Sequence, residues 1–464
     1  MSPRAFSCAL IALTLAACGG GGGPAGPIAT NDTGGVIRSA GGAAVSEVAH
    51  NHWRDAIEMF RTHDRAAGGW SSANCDATLT KFRQANEAQG GRFTEAVFMQ
   101  GVVSARCGQQ DQASQLYRQA LQMNERYCGA RVGVGLDDMR AGRVDQARQH
   151  FERAIREDAR CTSGYVNLAI IQRSQPNQAA EALNNLRRAL AIESDYLPAF
   201  NQMALLYLDQ AANNRQMLDL AEVVCRQAQL INGNYAPIYN TWGLINHRQG
   251  NIIAALAKFE RAFQLDNNFF EALMNFGQLT LSYRGYDDAA RAFERANQLQ
   301  ANNYDALLGL GAALRGLNRL EDAEAKYRAA IALDGQRAEA YYNLGLLYQD
   351  YMGGQVAQLE QAQQFYQQFL QRAGQREQFA PAVQSVSRRC REESQSSSSR
   401  RRRRRSTDCR PGRIQQIETA IRLMREMAQM QQQVQQLEQQ QQQQQQQEQQ
   451  QQEQQPAPAP APTP

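Results

Sequence analysis

Histidine is the side chain best suited to acid–base catalysis and metal binding near neutral pH, and this 464-residue sequence contains five. They are His50, His52, His63, His150 and His247. None has the His-Glu-x-x-His spacing of a zinc site, and two residues only two positions apart point to different faces of a helix. No glycine-rich phosphate loop or nucleophile elbow stands out. The sequence therefore predicts a protein that is not an enzyme and that uses no cofactor or metal.

Cys18 is a cysteine whose neighbours indicate a covalent modification. Arg4 precedes an apolar run, Ala5 to Leu15, that is too short to span a bilayer and is typical of a signal peptide. The run ends in Leu15-Ala16-Ala17-Cys18, which resembles the lipobox of bacterial lipoproteins. The resemblance implies that the Cys18 thiol receives diacylglycerol, and Gly19 in place of Asp favours the outer membrane. We expect a lipid-anchored protein of the bacterial outer membrane that faces the periplasm.

The elements that follow are predicted by internal repetition. Residues of small, large and small size recur at relative positions 0, +4 and +7, which places them on one face of a helix. The copies are Ala113/Tyr117/Ala120, Ala147/Phe151/Ala154, Ala182/Leu186/Ala189, Ala221/Cys225/Ala228, Ala255/Phe259/Ala262, Ala289/Phe293/Ala296, Ala323/Tyr327/Ala330 and Ala362/Tyr366/Phe369. Their spacing is 34 or 35 residues, or 39 at two places, and a Gly or Ala upstream of each marks a second helix. The insertions fall in the turns between helices, as expected of a true repeat.

The pattern resembles the tetratricopeptide repeat (TPR), a helix–turn–helix with Gly or Ala at position 8, Ala at 20, a bulky residue at 24 and Ala at 27. The resemblance covers Thr94 to Phe369. Upstream, His52 to Ala67 and Asn74 to Ala88 are expected to form a degenerate pair with Phe82 and Ala85 in its core. The resemblance implies an all-α, right-handed TPR solenoid of about 8–9 helix pairs.

In TPR proteins the first helix of each repeat lines a groove, so the resemblance also implies which residues face a ligand. Position 5 holds Phe98, Val132, Val166, Asn201, Asn240, Met274, Leu308 and Tyr342, and position 6 holds Asn167, Asn275 and Asn343. An asparagine both donates and accepts hydrogen bonds, so these could hold an extended peptide by its backbone. The alternative is that they cap or bridge neighbouring helices. The Lys/Arg and Asn set with which chaperone-binding TPRs grip a terminal carboxylate is not evident.

Seven further cysteines would lie in a compartment that permits disulfides. Cys75 and Cys107 are expected near the turns of neighbouring repeats and form the favoured pair, while Cys390 and Cys409 could close a loop worth roughly 3 kcal/mol. Cys128 and Cys161 are one repeat apart, and equivalent sites in adjacent repeats lie about 10 Å apart, too far for a disulfide unless the turns approach each other. Cys225 occupies a core position and is expected to be an inert thiol.

The C-terminal part changes composition. Six consecutive arginines are Arg400, Arg401, Arg402, Arg403, Arg404 and Arg405. In an exported protein of net charge +4 they indicate either a solvated linker or an anionic partner such as lipid headgroups, and not a nucleic acid. Apolar residues at Ile414, Ile417, Ile421 and Met424, resumed after a slip at Met427, Met430, Val434 and Leu437, predict a helix. Such a helix should dock on the solenoid or self-associate with another chain.

Seven segments follow from these patterns: a signal peptide 1–17, a lipidated Cys and Gly-rich tether 18–46, a degenerate first repeat 47–93, a TPR solenoid 94–385, a Ser/Arg-rich linker 386–413, a Gln-rich amphipathic helix 414–455 and a Pro-rich tail 456–464. This architecture resembles the TPR lipoproteins of the adventurous gliding-motility machinery. The resemblance implies a scaffold that binds other envelope proteins through its groove and the membrane through Cys18. Two alternatives stay open: a pilotin-like lipoprotein that assembles a secretin or pilus, and a factor that recruits or regulates a cell-wall enzyme.

Overall fold

The structure is a computed structural model that describes residues 38–39, 42–65, 70–388 and 411–453. Within these ranges the regular structure is helical, apart from an isolated β-bridge between Arg38 and Ala44. Eighteen α-helices follow one another in nine helix–turn–helix pairs, in agreement with the predicted all-α repeat architecture.

The first helix of each pair is odd-numbered and the second even-numbered. The pairs are α1 (Glu47–Arg65) with α2 (Ser72–Ala88), α3 (Thr94–Arg106) with α4 (Gln110–Met123), α5 (Cys128–Arg140) with α6 (Val144–Glu157), α7 (Thr162–Arg173) with α8 (Ala179–Ile192), α9 (Leu197–Gln210) with α10 (Met217–Ile231), α11 (Ala236–Gln249) with α12 (Ile252–Leu265), α13 (Phe270–Ser282) with α14 (Tyr286–Leu299), α15 (Tyr304–Gly316) with α16 (Leu320–Leu333) and α17 (Glu339–Asp350) with α18 (Val356–Ala373).

The chain divides into two compact units after Gln300. The first unit contains the seven pairs α1 to α14. The second contains α15 to α18, a 3-10 turn at Glu377–Phe379, the short helix α19 (Ala380–Ser387) and the long helix α20 (Arg413–Glu453).

A size rule governs the crossing of the two helices in each pair from α3 to α18. Where the first helix carries Gly at position 8, the second carries a Phe or Tyr at position 24, and a Cβ added to the glycine would lie 2.5–3.1 Å from that ring. These pairs are Gly101/Tyr117, Gly135/Phe151, Gly243/Phe259, Gly277/Phe293, Gly311/Tyr327 and Gly345/Tyr366. The two remaining pairs have Ala169 with Leu186 and Ala204 with Cys225, which are not aromatic. An alanine methyl is thus accommodated only where the opposing side chain is smaller.

The first pair is the predicted degenerate repeat. Phe82 and Ala85 are fully buried in α2, and Trp53 of α1 contacts Phe82 edge-on, with ring centroids 5.5 Å apart. The Ser71 hydroxyl accepts a hydrogen bond from the backbone of Asn74 and caps α2. This pair therefore extends the core of the repeats by one unit at their N-terminal end.

Several predicted features fall outside the described residues. These are the signal peptide, Cys18, most of the tether, Cys390, Cys409, Arg400 to Arg405 and the Pro-rich tail. Among the helices that are described, none has the length and apolar character needed to span a bilayer.

Candidate partner-binding face

Neighbouring pairs stack mainly through the second helix of one pair on the first helix of the next, and the first helices of successive pairs also contact each other. Contacts join α5 to α7, α7 to α9, α9 to α11, and α15 to α17. Side chains at positions 5 and 6 lie where these helices approach each other. Their accessibility therefore depends on how closely the next first helix packs.

The structure places the predicted groove residues in two groups. Asn167, Asn201, Asn240 and Leu308 are buried, whereas Met274, Asn275, Tyr342 and Asn343 are half-buried. Tyr342 packs on Phe369 within its own pair, with ring centroids 5.1 Å apart. The eight residues consequently do not line one continuous accessible surface.

Three of the asparagines, Asn201, Asn240 and Asn275, bridge neighbouring repeats. Thr241 Oγ1 donates to Asn201 Oδ1 at 2.7 Å, and Asn275 Nδ2 donates to Asn240 Oδ1 at 2.9 Å. Together these bonds link α9 to α11 and α11 to α13. The geometry favours the helix-bridging alternative over a peptide-holding ladder at these sites, and Thr241 is a partner that the sequence reasoning did not identify.

The other two asparagines bond within their own helices. Asn167 Nδ2 donates to the carbonyl of Ser163 at 2.8 Å, and Asn343 Nδ2 donates to the carbonyl of Glu339 at 3.1 Å. These two bonds therefore do not link neighbouring repeats.

Arg173 provides a charged link between α7 and α9. Its Nη1 donates to Gln202 Oε1 at 2.9 Å, and its Nε lies 3.2 Å from Asp209 Oδ2. Burial raises the pKa of Asp209 above its usual value, and the nearby Arg173 and Arg248 offset this shift only in part. Two guanidinium groups therefore act on this carboxylate.

Two disulfides join consecutive repeats at the N-terminal end. Cys75 in α2 is bonded to Cys107, the residue that ends α3, which is the pair favoured from the sequence. Cys128 is bonded to Cys161, with Cα atoms 5.7 Å apart. The distance of about 10 Å expected between equivalent sites is wrong for this pair, and the exception allowed for approaching turns applies, because Cys161 is separated from Cys128 by 33 residues and not by a full repeat. The missing residue puts Cys161 at the N-cap of α7, in the turn, where it approaches the start of α5.

Cys225 lies fully buried in α10, as expected of an inert thiol. Burial raises the pKa of this thiol, so it stays protonated at neutral pH.

An accessible groove of about 490 Å³ lies on α12, α13 and α14 of the first unit. Its apolar lining includes Leu273 and the rings of Phe263 and Phe276, which meet edge-to-face at 5.3 Å. Its charged lining is formed by Glu260, Asp288, Arg291 and Arg295. The half-buried Met274 and Asn275 are on α13, the helix that contributes Leu273 and Phe276.

Phe263 and Phe276 were not among the residues predicted for the groove. The repeat pattern places a bulky residue, often aromatic, at position 24, and both of these rings occur at other positions. Aromatic residues at positions where the repeat does not need them could have indicated this groove from the sequence.

No cluster of three or more His, Cys, Asp or Glu side chains suited to a metal ion occurs in the described ranges. The partly buried histidine His150 lies 3.5 Å from Asp138 Oδ2, and burial lowers its pKa. Both side chains belong to the packing between α5 and α6.

Comparison with known families supports the repeat assignment. A family model described as a tetratricopeptide repeat matches residues 135–201, and one described as a TPR repeat matches residues 313–350. The chain therefore contains tetratricopeptide repeats, which are generally found in non-enzymatic proteins that bind other proteins. Among curated proteins, none matches this chain significantly.

Several solved structures are similar in part. YrrB, a TPR protein with an unusual peptide-binding site, is 21% identical over 42% of this chain and 96% of its own, with a TM-score of 0.32. MamA from Desulfovibrio magneticus RS-1 is 18% identical over 38% of this chain and 97% of its own, with a TM-score of 0.33. The Pseudomonas aeruginosa protein pilF is 19% identical over 49% of this chain and 98% of its own, with a TM-score of 0.39.

Proposed function

We propose that this TPR protein is a lipid-anchored scaffold of a bacterial envelope complex and that it binds a partner protein at the groove on α12, α13 and α14. The observation that carries the proposal is the combination of an apolar aromatic lining with charged residues of both signs around it. Protein-binding sites combine an apolar centre with a polar rim in this way.

The groove suits a short amphipathic segment of a partner. Phe263, Leu273 and Phe276 would contact its apolar side chains, and Arg291 and Arg295 would pair with its acidic ones. Recognition of an amphipathic helix or an extended segment in a groove uses these same contacts.

The membrane anchor is supported by the sequence at Leu15-Ala16-Ala17-Cys18. Acylation at Cys18 would hold the protein at the periplasmic face of the outer membrane, because two or more acyl chains give stable anchoring. A Gly-rich tether between the lipid and α1 would leave the TPR face free to reach partners.

The machinery that we propose is the adventurous gliding-motility complex, where the protein would be a periplasm-facing subunit. Support comes from the combination of lipobox, glycine tether, TPRs and a Gln- and Pro-rich C-terminal region. Deletion of the gene should abolish single-cell gliding and leave secretin multimers intact. Normal gliding in the deletion strain contradicts the motility role, and loss of secretin multimers would instead favour the pilotin-like alternative.

The binding site is tested with matched substitutions on neighbouring helices. Phe276→Ser removes a half-buried ring from the groove, whereas Ile253→Ser removes an apolar side chain of α12 that is 87% exposed and does not line it. We expect co-purification of envelope proteins to be lost with Phe276→Ser and kept with Ile253→Ser. Equal capture by both variants, with matching circular dichroism spectra, would contradict the proposed site.

The anchor is tested separately with Cys18→Ser. This change should move the protein from the membrane fraction to the soluble periplasmic fraction while leaving partner capture by the isolated chain unchanged. Unchanged fractionation of the variant would contradict lipid anchoring without bearing on the groove.

A further inference from the structure

The long helix α20 has two distinct apolar rows. Ile417 and Ile421 are 1% and 8% exposed where α20 packs on α18 and α19. A second row is more than half exposed and consists of Leu423, Met427, Met430, Val434 and Leu437. The slip in the apolar spacing between Met424 and Met427 therefore marks a change from one face of the helix to another.

The two rows are displaced around the helix. Each residue of the second row comes one position before the residue that would continue the first, so Leu423 stands beside Met424 and Met427 beside Ala428. One residue corresponds to about 100° of rotation in an α-helix. The first row can thus contact α18 and α19, while the second row lies on a different face of α20.

Polar contacts mark the docked part of α20. Arg413 Nη1 lies 3.0 Å from Asp350, Gln363 Nε2 donates to Glu418 at 3.2 Å, and Arg425 Nη2 donates to Glu360 at 2.7 Å. From Glu426 to Gln443 every side chain is exposed. Most of the second row therefore lies on the part of the helix that extends beyond its packing partners.

The spacing of the second row indicates what covers it. Its steps of 4, 3, 4 and 3 residues place Met427 and Val434 at a positions and Leu423, Met430 and Leu437 at d positions of a heptad. A narrow a/d row is the seam of a coiled coil, in contrast to the wider stripe of a helix that packs on a globular core. A β-branched residue at a with Leu at d, as in Val434 and Leu437, favours two parallel strands.

We propose that this row is the seam of a parallel, two-stranded coiled coil with α20 of a second copy of this chain. The flanking residues are compatible with such pairing. In a parallel, in-register pair, Glu426 of one copy lies opposite Gln431 of the other, and Gln433 lies opposite Glu438. No like charges meet across the seam, so identical helices can pair without repulsion. The inference is independent of which partner the TPR face binds.

Pairing is tested on the full chain carrying Cys18→Ser, so that acyl chains do not cause association. Light scattering after gel filtration at tens of micromolar should give the mass of a dimer. Val434→Glu with Leu437→Glu places charges in the seam and should weaken dimerisation by roughly 100-fold or more. The matched control, Gln432→Glu with Gln439→Glu, adds the same charge at f positions and should remain dimeric. A monomeric parent chain, or equal masses for the two double variants, would overturn the proposal.

A disulfide cross-link tests whether the two α20 helices are parallel. It also avoids charged substitutions, which could unfold the helix. Gln441→Cys places a thiol at the next a position, where two parallel copies meet, and oxidation should yield a covalent dimer. Gln439→Cys, at an f position, should not cross-link, and the parent chain gives the background from the natural cysteines. Equal cross-linking at the two positions would contradict the parallel seam.

Discussion

Gly243 of α11 faces the ring of Phe259 in α12 so closely that an added Cβ would lie 2.5 Å from Cδ1 of that ring. Six pairs of the protein repeat this arrangement, and the two that depart from it change both residues together. The small residue at position 8 and the bulky residue at position 24 are thus one packing unit, and neither can be substituted freely without the other.

Gly243→Ala should destabilise the first unit by about 1–3 kcal/mol, because Phe259 is buried and has little room to move. Combining it with Phe259→Leu should recover part of the loss, since Ala169 and Leu186 already form such a pair. Urea unfolding followed by circular dichroism provides the measurement. Gly233→Ala is the control, because its nearest neighbouring atom would be 3.8 Å away and its unfolding midpoint should barely change.

The disulfides should stabilise the first unit. Each closes a loop of 32 or 33 residues, for which the chain-entropy estimate is about 3–4 kcal/mol. Reductant should therefore lower the thermal midpoint of the oxidised protein, and Cys75→Ser with Cys107→Ser should remove part of that response. An unchanged midpoint on reduction would contradict both bonds.

Alkylation of the native protein followed by mass spectrometry tests the same assignment residue by residue. Cys75, Cys107, Cys128 and Cys161 should be protected until reduced. Cys225 should be unreactive in the folded protein because it is buried and its thiol pKa is raised, and it should react once the chain is unfolded. Rapid alkylation of Cys225 under native conditions would disprove its burial.

Asn201→Ala should cost about 1–3 kcal/mol, because it leaves the hydroxyl of Thr241, which is 1% exposed, without the acceptor it uses. Asn167→Ala should cost less, since Asn167 bonds only to a backbone carbonyl of its own helix. Unfolding midpoints of the two variants provide the comparison. If Thr241→Val suppresses the effect of Asn201→Ala, the bond between repeats accounts for it, and additive effects would show that it does not.

Acid should weaken the packing between α5 and α6. Burial lowers the pKa of His150 below its usual value of 6.5, with Arg131 and Arg153 acting in the same direction and Asp138 opposing them. The folded state thus binds this proton less tightly than the unfolded state. Stability is fully present above pH 6.5 and is lost as the pH falls through the folded pKa. His150→Gln should flatten the dependence of the urea midpoint between about pH 8 and pH 5.5, and an equally steep dependence would contradict this role.

The helix pairs were predictable because their determinants are local. Residues such as Ala255, Phe259 and Ala262 lie three and four positions apart, and this spacing alone places them on one buried face. The aromatic ring of Trp53 and the cap at Ser71 add contacts to a first pair whose helices the sequence had already located to within a few residues.

The residues of the candidate site were harder to predict from the sequence, because their burial and their partners depend on distances between repeats. Asn201 and Asn240 occupy positions that face a ligand in other TPR proteins, but here the adjacent first helices bury them. Their partners, Thr241 and Asn275, come from helices 35 or more residues away in the chain. A shift of one residue likewise decided the geometry of Cys128 and Cys161.

The two disulfides also determine how the chain would carry tension. A pull along the backbone that reaches Cys75 passes through the sulfur bridge to Cys107, and one that reaches Cys128 passes directly to Cys161. The 32 and 33 residues spanned by these bonds could not be stretched out while the bonds are intact. Each segment would otherwise extend to about 110 Å. Between Cys75 and Cys161 only the residues from Cys107 to Cys128 could therefore be drawn out, whereas α9 to α14 contain no disulfide that would limit their extension under load.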